Sequence, residues 1–225
     1  MVRSFPFGEA DLIVSFFTKD IGRISAIARS ARRPRRGLAP ILEPMHTLVL
    51  DLSERPHHSL LTLSSSNIAV PRTRLTANLR RLDAAGTALR WVRGSVPART
   101  PEPAVWEHLV SLLDVLDADQ DDVDPPAVLA AAGLRLLRAL GYGLNLASCV
   151  VCDRVCPYEQ AACLDATRGG LICRACGGAS RVIRSPLRSR MISVMDGDNA
   201  IEPEDAPTVL DVLDEAFLAH ANVRV

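Results

Sequence analysis

Two groups of side chains in this sequence have the type and the spacing to do chemistry. The first is a set of thiols. All six cysteines of the chain fall between positions 149 and 176. Cys149-Val-Val-Cys152 and Cys173-Arg-Ala-Cys176 are two C-x2-C pairs with 20 residues between them, a spacing that reads as a tetrahedral zinc site. Each pair sets two thiolates on one side of a tight turn, and two such turns complete four-coordination. A closed four-thiolate set leaves no place for a water nucleophile, so the zinc is expected to be structural. The plainer reading is four buried thiols. Cys156 is close enough in sequence to replace Cys152 in an alternative pairing, and Cys163 suits a strand facing a small core. Gly169-Gly170 ahead of Leu171-Ile172 fits a hairpin returning to the second pair.

The second group is basic. Arg32, Arg33, Arg35 and Arg36 surround Pro34 with no acid among them, and Arg23 and Arg29 precede them. Guanidinium groups suit bidentate phosphate contact, which points to nucleic acid; the plainer reading is a solvated surface turn. Arg72, Arg74, Arg80 and Arg81 could extend the same surface. Neutralising ~5 phosphates would give a log–log salt slope near −4.5. Phe5, Phe7, Phe16 and Phe17 are the aromatics at hand, and Phe16 or Phe17 is needed to fill a core, so base-specific reading is not expected.

The elements that must position these residues follow from pattern. Gly8 to Gly37 reads as strand, turn and strand leading into the arginine loop: Leu12–Phe17 is an apolar run of strand length, Lys19-Asp20 and Gly22 supply turn chemistry, and Ile24, Ala26 and Ala28 share the core face of the second strand. A short strand over Val2–Phe5, another over Met45–Leu52, and an interrupted one over Leu60–Leu63 and Ile68–Val70 complete about five strands, with Ser53–Ser59 as a hairpin tip. That count and spacing suggest a small Greek-key barrel, an OB-fold, over residues 1–73. From Leu75 the period becomes helical. Leu75, Leu79, Leu82, Leu89 and Val92 form one stripe, weakened only at Gly86. Val105–Leu116 and Ala127–Leu140 form two more helices, the latter opened by Pro125-Pro126 and stopped by Gly141, and Pro186–Met195 and Pro207–His220 close the chain. The expected class is α+β: a basic barrel, then a helical domain over 74–225 with its zinc module at about 147–178.

Charge supports this division. Residues 1–81 carry 13 Arg or Lys against 6 Asp or Glu, and residues 82–225 carry 13 against 20, so a neutral chain joins a basic part to an acidic one. Of the 26 cations 25 are arginine, a bias that a GC-rich genome would also give. No apolar run approaches the ~20 residues of a membrane span, and no signal-peptide pattern opens the chain; the cytoplasm is the expected location. The acidic stretch from Asp117 lacks the calcium-loop pattern, with Asp122 where Gly belongs and Val128 where Glu belongs. There is no phosphate-binding Gly-Lys-Ser/Thr loop, no G-x-S-x-G elbow and no deaminase signature. No catalytic residues are expected.

Taken together, Phe7-Gly8-Glu9-Ala10-Asp11-Leu12, Gly22-Arg23, Ala28 through Pro34, Pro40 through Leu50, Leu140-Gly141-Tyr142, the two C-x2-C pairs and Gly169-Gly170 resemble the RecO family of bacterial recombination mediators over nearly the whole chain. The resemblance implies an N-terminal OB-fold, a helical domain with a zinc module, and a protein that is not an enzyme. It implies binding of single- and double-stranded DNA, annealing of complementary strands and RecA loading with RecR and RecF, alongside single-stranded DNA-binding protein and the nucleoid. It makes Arg23, Arg29, Arg32, Arg33, Arg35 and Arg36 the expected DNA contacts and Cys149, Cys152, Cys173 and Cys176 the expected zinc ligands. Cys163 departs from the family, which tends to place an aromatic there. The rival expectation is a protein-interaction scaffold with a structural zinc and no direct nucleic-acid binding.

Overall fold

A computed structural model of the chain describes residues 3–33, 42–54, 60–120, 123–197 and 200–221. The N-terminal part is a five-stranded sheet built from β1 (Arg3–Phe7), β2 (Asp11–Thr18), β3 (Gly22–Ala28), β4 (Thr47–Ser53) and β5 (Leu61–Val70) in the order β1-β2-β3-β5-β4. β1, β2 and β3 form an antiparallel meander; β3 then meets β5 in parallel, and β4 pairs antiparallel with β5. That order, with its single parallel pairing, is OB-like. The β2–β3 turn closes because the Thr18 hydroxyl donates to the Gly22 carbonyl at 3.0 Å and accepts the Ile21 N–H at 3.2 Å. Gly22 is required there: its φ is +78°, and a Cβ would stand 1.9 Å from the Thr100 carbonyl oxygen.

Period-two alternation fills the barrel. Val14 and Phe16 of β2, with Ile24, Ala26 and Ala28 of β3, face a core shared with Leu42, Leu61 and Leu63. Burying a side chain such as Phe16 contributes about 1.5–3 kcal/mol. Phe17 points the other way and packs on Trp106, ring centroids 5.9 Å apart, within the core of the helical part. The barrel is thereby seated on the helices rather than tethered to them.

Among the described residues six α-helices follow: α1 (Thr73–Ala77), α2 (Leu79–Ser95), α3 (Pro103–Asp117), α4 (Pro125–Ala139), α5 (Ser185–Met195) and α6 (Ala206–Ala221). Prolines stand in the first turn of α3, α4 and α5, where a missing N–H costs nothing. Asp124 caps α4 by accepting the Ala127 N–H at 2.9 Å. α2, α4 and α6 cross closely at Gly133, where a Cβ would meet Leu213 at 2.5 Å and Trp91 at 2.8 Å, and Trp91 stacks on Phe217 at 4.7 Å. Between α4 and α5 lies a four-stranded sheet of β6 (Asn145–Cys149), β7 (Ala162–Asp165), β8 (Gly170–Leu171) and β9 (Arg181–Ile183), in the order β6-β8-β7-β9.

Several expectations change. The first helix breaks at Asn78, not at Gly86: Asn78 ends α1, and its side chain accepts the Arg81 N–H to start α2. Leu79, expected on the buried stripe, is 81% exposed. The interrupted strand is one continuous β5, paired with β4 through two register shifts. Met45 lies outside β4 with a φ of +81°. Val2 and most of the expected hairpin tip lie outside the described residues.

Candidate metal centre and nucleic-acid interface

Backbone geometry brings the two C-x2-C pairs together. Cys149 ends β6, and the turn after it closes when the Asp153 N–H reaches the Cys149 carbonyl at 2.9 Å, with Asp153 left-handed at φ +58°. Cys173 follows β8, which pairs with β7 as an antiparallel hairpin and lies parallel to β6. Gly170 permits that pairing, because a Cβ would stand 2.4 Å from the Asn145 carbonyl oxygen. A 3₁₀ turn, Arg174–Cys176, then carries the last thiol round, Cys176 N–H to Cys173 carbonyl at 2.9 Å.

The ligand atoms of Cys149, Cys152, Cys173 and Cys176 all lie within 4.8 Å of one another, and Cys152 Sγ is 3.7 Å from Cys173 Sγ. A tetrahedron with Zn–S bonds of ~2.3 Å has S···S edges of about 3.8 Å. These four cysteines can therefore hold a metal ion. The Cys173 N–H, 3.3 Å from Cys149 Sγ, pulls the Cys149 thiol down to about 6, while the Cys176 thiol donates to the Cys173 and Cys152 sulfurs, which holds its proton and pushes it up to about 12. Protons crowded among four sulfurs are the ones an arriving cation displaces. Cys156 is not part of this group; its sulfur faces the Arg154 carbonyl at 4.0 Å. Cys163 lies half-buried in β7.

Arg188 of α5 holds the module to the helices, and the sequence reading missed it. Its buried guanidinium donates to the carbonyls of Leu146 at 2.8 Å, Pro157 at 2.9 Å, Gln160 at 3.2 Å and Cys156, and lies 5.3 Å from the Tyr158 ring centroid. Carbonyl dipoles, not a carboxylate, answer the buried charge.

The arginines divide into groups. Arg29, Arg32 and Arg33 are exposed just past β3, and among the described residues no carboxylate pairs with them; the Arg32 N–H binds the Ala10 carbonyl at 3.0 Å, tying the loop to the β1–β2 turn. Arg35 and Arg36 lie outside the described residues. Arg23 is half-buried, its Nε donating to the Val96 carbonyl at 3.0 Å.

The four arginines expected to extend the surface do not stand free. Arg72 is 1% exposed, its donors committed to Asp114, the Met45 carbonyl and Thr47. Burial takes it off any DNA-facing surface. Arg74 pairs with Asp119 at 2.9 Å and Arg80 with Asp124 at 3.3 Å. Arg81 spends both terminal nitrogens on the carbonyls of Leu116, Ala118 and Gln120, at the end of α3. The acidic loop thus answers the arginines of α1 and α2.

A second cluster, missed in the sequence, gathers at the other end of β3. Burial pushes the Arg93 guanidinium of α2 below its ordinary value, and the like charges of Arg3, Arg90 and Arg23 push in the same direction. Arg3 also lies 5.6 Å over the Phe5 ring.

The family models for the N-terminal and C-terminal regions of recombination protein O match residues 1–72 and 76–223. The chain belongs to the RecO family. A DNA repair protein RecO from Anaeromyxobacter sp. (strain K) is 35% identical over 87% of this chain and 75% of its own length. That of Anaeromyxobacter dehalogenans (strain 2CP-C) is 32% identical over 98% of this chain and 88% of its own, and that of Symbiobacterium thermophilum is 32% identical over 88% and 78%. In this RecO-family chain the first match coincides with the OB-like sheet and the second with the helices and the cysteine module. Among the described residues no helix is long and apolar enough to cross a membrane.

Proposed function

We propose that this RecO-family chain is a non-catalytic DNA-repair mediator of the cytoplasm and nucleoid. It binds single- and double-stranded DNA through the barrel, anneals complementary strands, and assists RecA loading with RecR and RecF at single-stranded DNA-binding protein. The observation that carries the DNA reading is the exposed group Arg29, Arg32 and Arg33, which no described carboxylate neutralises. Arg35 and Arg36 follow it in sequence.

Phosphate binding at such a group releases counterions and lowers the repulsion between two strands held on neighbouring arginine surfaces, so the strands can search for register. Annealing needs no covalent step. It needs charge neutralisation with no fixed base readout, which flexible guanidinium contacts supply.

The ion assigned to the four cysteines is zinc. Soft thiolates in a closed tetrahedral set suit it, and with all four places taken its part is structural. It would lock the β6–β8 pairing while Arg188 joins that unit to α5. The partners named here follow from the family, and the acidic helical surface is the face assigned to them.

The test is annealing of two complementary labelled oligonucleotides followed by energy transfer. Wild type should accelerate pairing well above the protein-free rate at low salt, and Arg29→Glu/Arg32→Glu/Arg33→Glu should lose most of that acceleration. No acceleration by folded wild type would remove the mediator reading and favour a scaffold.

A further inference from the structure

β1 carries a stripe that the reading above does not use. Arg3, Phe5 and Phe7 alternate onto one face of the edge strand, where Phe5 is 39% and Phe7 51% exposed. Neither ring fills a core: Phe16 occupies the barrel and Phe17 the joint with the helices. In register beside the stripe stand Ser15 and Ile13 of β2, then Ser25 and Ile27 of β3, all half-buried. The Ser15 and Ser25 hydroxyls lie 3.2 Å apart, which places them on the same outer face. Two exposed phenyl rings on an edge that no described strand pairs call for an occupant with flat faces of its own.

Charge at the two ends says which occupant. Arg23, near the start of β3, and Arg29, just past its end, lie six residues apart, about 20 Å along the strand direction. The first, its Nε on the Val96 carbonyl, stands two residues from Ser25, at the end of the sheet where Arg3 lies in register with Ser15 and Ser25. The second leads into Arg32 and Arg33, and Arg32 is hydrogen-bonded to Ala10 and Glu9 in the turn that follows Phe7. The rings thus lie between two groups of guanidiniums. The one carboxylate in register with them, Asp11 opposite Phe7, accepts the Ser30 N–H at 2.7 Å. An acidic polymer with aromatic faces fits this pattern: a nucleic acid.

The spacing selects its form. Side chains two apart on a strand are about 6.8 Å apart, twice the ~3.4 Å rise per nucleotide along a duplex strand. Duplex bases are also stacked on each other and offer no free face. We infer that the Arg3–Phe5–Phe7 edge is a stacking path for unpaired bases, with the backbone entering over Arg29, Arg32 and Arg33 and leaving over Arg3 and Arg23. The inference rests on the DNA-binding reading and adds the site that distinguishes single from double strands.

The test compares wild type with Phe5→Ala/Phe7→Ala, and with the Phe5→Tyr/Phe7→Tyr pair that keeps the rings, on a fluorescent single strand and on the matched duplex at one salt concentration. Base–aromatic stacking lost on alanine substitution corresponds to about 5–150-fold per base. The alanine pair should therefore bind the single strand at least about tenfold more weakly, with duplex affinity unchanged and the tyrosine pair close to wild type. A 2-aminopurine in the strand should be quenched by wild type and not by the alanine pair. Equal single-strand affinity in wild type and the alanine pair would overturn the stacking path and leave DNA binding intact. An equal loss on both substrates would also overturn it, since a general loss of binding is not loss of stacking. Wild type binding neither substrate would overturn both readings.

Discussion

Arg72 and Asp114 meet across the joint between barrel and helices: the Asp114 Oδ1 accepts from Arg72 Nε at 3.0 Å and Nη2 at 2.6 Å, while Nη1 turns back to the Met45 carbonyl at 2.8 Å and Thr47 Oγ1 at 2.9 Å. One buried cation therefore binds the segment before β4, β4 itself and α3. Removing the anion takes the carboxylate from a buried guanidinium, and because the Asp114 side chain is 55% exposed water replaces only part of what is lost. Asp114→Ala should cost about 2 kcal/mol of unfolding free energy, and Arg72→Leu about 3 kcal/mol or more, because three oxygens then lose their donor. Urea unfolding measures both. DNA affinity per folded molecule should be unchanged in either.

The same joint should be sensitive to acid. Burial pushes the His46 imidazole below its ordinary value of 6.5, although Glu43 and Asp117 offset part of this, and its Nδ1 accepts the Arg72 backbone N–H at 3.1 Å. With the folded value lowered, the unfolded chain takes the proton first. This contribution to stability is present above about 6.5 and is lost as pH falls through the window below it. The urea midpoint of wild type should drop between pH 7 and pH 5. His46→Asn, which keeps an acceptor and cannot titrate, should drop less; an identical drop would show that His46 contributes nothing to it.

Metal removal should act on stability before function. Chelation, or Cys173→Ser, takes away a ligand that binds only the folded module. At 100 to 1,000 times its dissociation constant such a ligand contributes about 3–4 kcal/mol, equivalent to about 6–15 °C of melting temperature in a chain of this size. One zinc per chain in wild type, near zero in Cys173→Ser, and that fall in melting temperature are the expected results by elemental analysis and calorimetry. Full metal content in the variant would contradict the four-cysteine assignment.

Arg74 and Arg80 should matter little to DNA. Each is already paired with an aspartate, and exposed pairs of this kind are worth at most about 1 kcal/mol to stability. Arg74→Ala/Arg80→Ala should change DNA affinity by less than about twofold in a fluorescence titration, a smaller effect than any charge reversal in Arg29–Arg33.

The parts legible in the sequence were those fixed by local rules. Alternation placed Ile24, Ala26 and Ala28 on the core face of β3, Pro125-Pro126 opened α4, and two C-x2-C pairs gave the thiol cluster. What stayed hidden depended on contacts distant in sequence. Arg72, Arg74 and Arg80 read as a free basic run because Asp114, Asp119 and Asp124 are more than 40 residues away. Arg3 and Arg23 come together at one end of the sheet from β1 and β3, so no stretch of sequence displays the pair. Arg188 did leave a trace. It shares the buried face of α5 with Met191, three residues on, and a charge at that spacing asks for a buried partner.

If the loop after β3 is the DNA face, reversing its arginines must change the salt dependence of binding. Binding of a fluorescent duplex would be titrated against salt for wild type and for Arg32→Glu/Arg33→Glu. Each phosphate contact adds about 0.9 to the log–log slope, so the variant should bind more weakly with a slope flatter by about 2. An unchanged slope and affinity in a folded variant would place the DNA face elsewhere and contradict the account.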